Sequence, residues 1–168
     1  MILQLLFIAT VLATELSNPL NGSFSVDVTG SGQTAVIFVH GYDGDKRNFE
    51  YLSGKIASRG LVTVNFDLNG HGSRSQGSKE FLFMHRDVRT IIHYLQQQNI
   101  TDIQCVGEGV GGIICLQANS EKTPISQVAI ISPVGLFEHQ SIFLHIEEYQ
   151  KRSFRPIYVI VSNQDENG

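Results

Sequence analysis

Ile103-Gln104-Cys105-Val106-Gly107-Glu108-Gly109-Val110-Gly111-Gly112, followed by Ile113-Ile114-Cys115-Leu116, decides the fold. An apolar, β-favouring run enters a cluster of glycines, and an apolar run at helical spacing leaves it. The pattern predicts a strand, a very tight turn and a helix. Glycines at 107 and 111 permit close backbone contact where strand and helix meet. The start of the helix offers free N–H groups and the positive end of a dipole, suited to an anion or a developing oxyanion. Two motifs fit. The nucleophile elbow, G-x-S-x-G, is matched by Gly107, Gly109 and Gly111 with glycine where serine belongs. The dinucleotide fingerprint, G-x-G-x-x-G, is matched by Gly107, Gly109 and Gly112. A glycine turn with a structural role alone is the third reading.

Outward from this turn, apolar runs alternate with helical patterns. Upstream, Ser23–Val28 alternates as a half-buried strand, Ala35–Val39 is a continuous apolar strand, and Asp45–Arg59 reads as a helix whose apolar face is Phe49, Leu52, Ile56 and Ala57. Leu61–Phe66 is a strand, 67–73 a polar turn, and Glu80–Gln98 a helix carrying Phe83, Val88, Ile91, Ile92 and Leu95. Downstream of the helix that ends near Asn119, Gln127–Ile131 is a strand, Gln140–Arg152 a helix with Ile142, Phe143, Ile146 and Tyr149 inward, and Ile157–Val161 the last strand. The alternation predicts an α/β fold: a mostly parallel sheet flanked by helices, joined by right-handed crossovers.

The chain has 168 residues, one domain's length, and a formal net charge of −4, which gives no basic footprint for nucleic acid. Met1–Ala13 is apolar and too short to span a membrane; Val11 and Ala13 are small residues placed for cleavage. We read residues 1–13 as a secretory signal peptide, 14–22 as a tether and 23–168 as the domain. The sequons at Asn21 and Asn99 agree with export. Cys105 and Cys115 both occupy apolar positions, and the expectation is two free buried thiols. No metal-ligand cluster and no cofactor is expected.

In α/β sheets function gathers at the carboxyl ends of strands. His40-Gly41-Tyr42, Asp67, Gly109 and Asp165 stand at four such ends. With Phe38-Val39-His40-Gly41, the turn Asp67-Leu68-Asn69-Gly70-His71-Gly72-Ser73, the elbow 107–111 and Asp165, the sequence resembles the α/β-hydrolases, the superfamily of lipases, esterases and proline peptidases, from Gln33 to Asp165. The resemblance implies an oxyanion hole from the backbone N–H groups of Tyr42 and Val110, a site lined by His40, Gly41 and Glu108, and Asp165 as the acid of a triad. It also implies a serine where Gly109 stands, and a further strand, helix and histidine after Asp165, where only Glu166, Asn167 and Gly168 follow. The expected molecule is therefore a secreted hydrolase fold, incomplete at its C-terminus, without a large lid and catalytically inactive as written. It would bind a small ester or carboxylate, or a protein partner that covers the C-terminal edge. The alternative is a fragment or altered version of an active secreted esterase. The dinucleotide reading lacks its acid: the next strand ends in Ile131-Ser132-Pro133.

Overall fold

In a computed structural model the described residues are 11–161, apart from 78, 79, 121, 138 and 154. The elements are β1 (Val11–Asn18), β2 (Gly22–Thr29), β3 (Thr34–Val39), α1 (Glu50–Ala57), β4 (Val62–Phe66), α2 (His85–Gln97), β5 (Asp102–Glu108), α3 (Val110–Ala118), β6 (Gln127–Ile131), β7 (Leu136–Phe137), β8 (Gln140–Ser141), α4 (Ile142–Ser153) and β9 (Ile157–Ile160). Seven strands form one sheet in the order β1-β2-β4-β3-β5-β6-β9. The five from β4 to β9 are parallel, and the β1–β2 hairpin adds an antiparallel edge.

Alternation along the strands divides the core. Ala35, Ile37 and Val39 of β3 point into the large cluster with Val64, Ile91, Ile92, Ile113 and Ile114, where α2 and α3 pack. Val36 and Phe38 point the other way, onto Phe49 and Ile56 beside α1. β3 and β4 are buried along nearly their whole length, as strands covered on both faces must be.

Several expectations need correction. Residues 14–18 of the stretch read as a tether, 14–22, belong to a strand, and 19–21 are the turn after it: β1 pairs with β2 from Val11↔Thr29 to Asn18↔Gly22, and cleavage after Ala13 would fall inside β1. The helix read over 45–59 begins at its Asp45 cap as a 3-10 turn, Lys46–Phe49, and becomes α-helical only over α1. Leu52, placed on its buried face, is exposed, and Ser53 is buried in its stead, where its Oγ accepts from Asn65 Nδ2 of β4 at 2.7 Å. Phe143 is also outward, since α4 buries Ile142 and Tyr149 and a residue one step from Ile142 turns about 100° away.

The cysteines form a disulfide, Cys105–Cys115, with Cα atoms 5.8 Å apart and no free cysteine among the described residues. The expectation of free thiols treated each apolar position alone. Strand and helix leave the turn side by side. Four strand residues before Gly109 cover roughly 13 Å and six helical residues after it roughly 9 Å. Both sulfurs therefore lie at comparable depth, on facing sides.

Replacing both cysteines with alanine should lower stability by about 2–4 kcal/mol. Urea unfolding of the double variant under non-reducing conditions measures it; an unchanged midpoint would show that the bridge adds nothing to the packing.

Candidate functional site

The site lies where β3, β4, β5 and β6 end. β3 and β5 are neighbours in register, Val39 opposite Gly107, so the loop 40–44 and the turn 107–112 run side by side. Their closeness depends on missing side chains. A Cβ on Gly107 would collide with the backbone of Gly111, one on Gly111 with the Val39 carbonyl, and one on Gly112 with the Ile130 side chain. All three glycines thus serve strand–helix packing, and Gly112, the last glycine of the dinucleotide fingerprint, faces Ile130.

Gly109 is the apex. Its backbone has φ 53° and ψ −116°, a conformation that side chains rarely adopt, and its N–H donates to the Ile131 carbonyl at 2.9 Å. A Cβ there would meet little: Val134 Cγ1 at 3.9 Å and the Ser132 carbonyl at 4.0 Å. The turn keeps the strained shape that presents an apical side chain and the space for one, and has none. Val110 follows as the first residue of α3, so its N–H belongs to the helix start.

Around the apex, Glu108 accepts from Asn48 Nδ2 at 3.2 Å, and a Cβ on Gly41 would rest 3.6 Å from the Glu108 side chain. Asn48 was not singled out in the sequence, since nothing in its local pattern points to a strand end sixty residues away. The Tyr42 ring packs on His71 at 5.4 Å and on Phe137 at 5.0 Å, and Phe137 also meets Phe81 at 5.2 Å. The small β7–β8 hairpin thereby forms one wall of the site. Its two-residue strands are too short to carry a periodic signal.

The expected site-lining His40 is structural. Nε2 accepts from the Leu68 N–H at 3.0 Å, which leaves the proton on Nδ1, donated to the Gly41 carbonyl at 2.7 Å. Burial is the main cause that holds its pKa below the ordinary value; the Gly41 carbonyl acts against it, and neighbouring His71 adds to the lowering. With both nitrogens used, His40 ties the ends of β3 and β4 together and takes no part as a base. Asp67 is equally committed. Its carboxylate accepts from the Lys46 N–H (2.9 Å), the Ser73 N–H (2.9 Å) and the Ser73 hydroxyl (2.7 Å). Burial pushes its pKa up, but these hydrogen bonds outweigh it and the net direction is downward. Asp165, the expected acid, lies outside the described residues.

Among the described residues no group of three His, Cys, Asp or Glu side chains is placed to hold a metal ion, and no helix is long and apolar enough to cross a membrane.

Residues 30–163 match the family model described as serine aminopeptidase, S33. The AB hydrolase superfamily protein YisY of Bacillus subtilis is 28% identical over 111 residues, covering 64% of this chain and 40% of that protein. The chain thus spans well under two thirds of this curated relative. Among solved structures, the Pyrococcus furiosus esterase Pf2001 superposes with a TM-score of 0.73 at 15% identity, covering 90% of this chain and 69% of that one. The esterase EaEST from Exiguobacterium antarcticum gives 0.62 at 22% identity, covering 73% and 46%. At these identities the structural likeness is one of fold.

Buried imidazoles make stability pH-dependent. Burial is the leading cause that lowers His85 to about 4 from an ordinary 6.5, with Arg89 and Arg86 adding to it, and His40 shifts the same way. Below pH 6.5 the unfolded chain binds protons that the folded chain does not, so stability falls as pH drops, and the share due to His85 continues to be lost until about pH 4. The urea midpoint should be lower at pH 5 than at pH 7, and His85→Leu should narrow that difference. An equal difference in the variant would assign the effect to other groups.

Proposed function

We propose that this chain, which belongs to the serine aminopeptidase, S33, family of α/β-hydrolases, has no covalent serine catalysis and acts by binding. The carrying observation is Gly109: the elbow's shape and apical space are present, and a hydrogen atom stands where the family's chemistry needs an attacking oxygen. Without a nucleophile the hydrolytic sequence of attack, acyl-enzyme and deacylation has no first step. Backbone donors do not depend on the missing side chain, so the start of α3 at Val110, with the neighbouring Tyr42 loop, supplies a place for a carboxylate or carbonyl oxygen. The aromatic wall of Tyr42 and Phe137 would favour a ligand with a short apolar body. A small ester or carboxylate is therefore the ligand class proposed.

The second reading, a fragment or altered version of an active esterase, draws support from one observation: the chain spans only 40% of YisY. The two readings part at position 109. Export belongs to the proposal as well. It draws on the apolar leader and, independently, on the buried disulfide, since such bridges persist in oxidising compartments.

Incubated with a fluorophosphonate probe and short p-nitrophenyl esters, the natural protein should take no label and show no turnover above background, while titrated butyrate should shift the amide resonance of Val110. Labelling of the natural protein at any serine, with ester turnover, overturns the reading. Gly109→Ser should cost about 1–3 kcal/mol of stability, because serine must take up the left-handed backbone that glycine tolerates. A urea midpoint equal to that of the natural protein would contradict that cost.

A further inference from the structure

Two Asn-x-Ser/Thr sequons look equivalent as sequence; their surroundings in the fold are opposite. Asn21 sits at the β1–β2 turn, half-buried, with its side-chain amide turned inward. Nδ2 donates to the Phe83 carbonyl at 3.2 Å and to Asp87 Oδ1 at 3.0 Å. The Asn21 carbonyl accepts from Arg74 Nη2 at 3.1 Å. Asp87 is fully buried, and its other oxygen is paired with Arg74 Nη1 at 2.7 Å. Both Nδ2 protons of Asn21 are therefore spent on a closed cluster that neutralises a buried carboxylate. Asn99 follows the end of α2. It is exposed, it takes the left-handed conformation (φ 62°) that ends the helix, and its side chain has no hydrogen-bond partner among the described residues. Ile100 is buried and anchors the segment, while Thr101 is exposed.

We infer that Asn99 is the N-glycosylation site of this chain and that Asn21 is a core hydrogen-bond donor whose modification the fold excludes. The inference rests on the export reading above. In the transfer, one Nδ2–H bond is broken and an Nδ2–C1 bond forms to an oligosaccharide. The lipid diphosphate that carried the sugar leaves, and the amide proton passes to base. At Asn99 this costs no interaction. At Asn21 it removes one of the two bonds to Phe83 and Asp87, and sets a bulky sugar against the start of α2. A buried carboxylate that loses a donor is strongly penalised, so a chain modified there cannot close the cluster.

The full chain, expressed in a eukaryotic cell line and recovered from the medium, should carry one glycan, released by peptide N-glycosidase F with conversion of Asn99 alone to aspartate. Asn99→Asp should remove the glycan and melt at the same temperature as the enzymatically deglycosylated protein, which carries the same aspartate at a left-handed position that Asp tolerates. Asn21→Gln should keep the glycan and melt several degrees lower, because the longer side chain misplaces its amide from Asp87. A glycan found on Asn21 of the folded protein overturns the inference. So does a chain with a strong cleavable leader ahead of Met1 that reaches the medium bare at Asn99. If the natural leader leaves the chain in the cytosol, the export reading fails, and the leader-driven chain still decides between the two asparagines.

Discussion

The structure depends on one close approach: α3 laid against the ends of β3, β5 and β6 at backbone distance. Gly107, Gly111 and Gly112 each occupy a point where a single Cβ would collide with a neighbour. Because β5 is the middle strand of the parallel set, the helix that leaves it sits over the centre of the core, and every residue of α3 but Gln117 is buried. The turn between them is consequently forced to be abrupt, and Gly109 absorbs the left-handed conformation that abruptness demands. The shape of the elbow and the packing of the core are here the same object. The turn therefore does not depend on the side chain at its apex, since the demand for it comes from the core.

The loops around the apex are held by polar groups that have no freedom left to react. His40 joins the β3 and β4 ends through both of its ring nitrogens, and Asp67 collects three donors from two loops. These residues stand at strand ends, where function gathers in such folds, yet their hydrogen bonds spend them on architecture. What remains open at the centre is the space above Gly109, beside the aromatic wall behind Tyr42.

Most of the sheet was legible because its strands are short, β-favouring stretches bounded by turn residues, one of them, Ala35–Val39, a continuous apolar run: Ala35–Val39, Leu61–Phe66 and Gln127–Ile131 each appear within a residue or so of their sequence bounds. The elbow was legible from its glycine spacing. β1 was not, because Thr14, Glu15 and Ser17 resemble a polar tether; an edge strand open on one side needs no apolar alternation, and its pairing with β2 is what makes it a strand. The outward turn of Leu52 and Phe143 was hidden because helix phase is set by a few anchor contacts, Ser53 to Asn65 and Tyr149 to the Ile125 carbonyl. The disulfide and the Asn48–Glu108 contact were hidden because pairing across elements is a property of placement.

The Cys105–Cys115 bridge also bears on the order in which this molecule can be assembled. Parallel pairings such as β3 with β5 join residues some seventy positions apart, so each must wait for a long stretch of chain and for a large loop to close. The bridge closes over a sequence separation of only ten residues. Its two sulfurs can meet without waiting for a distant strand pairing or for the closure of a large loop. The strand–turn–helix unit at the centre of the fold can thus be fixed covalently by a short loop closure alone, a local constraint within a topology otherwise dominated by distant contacts.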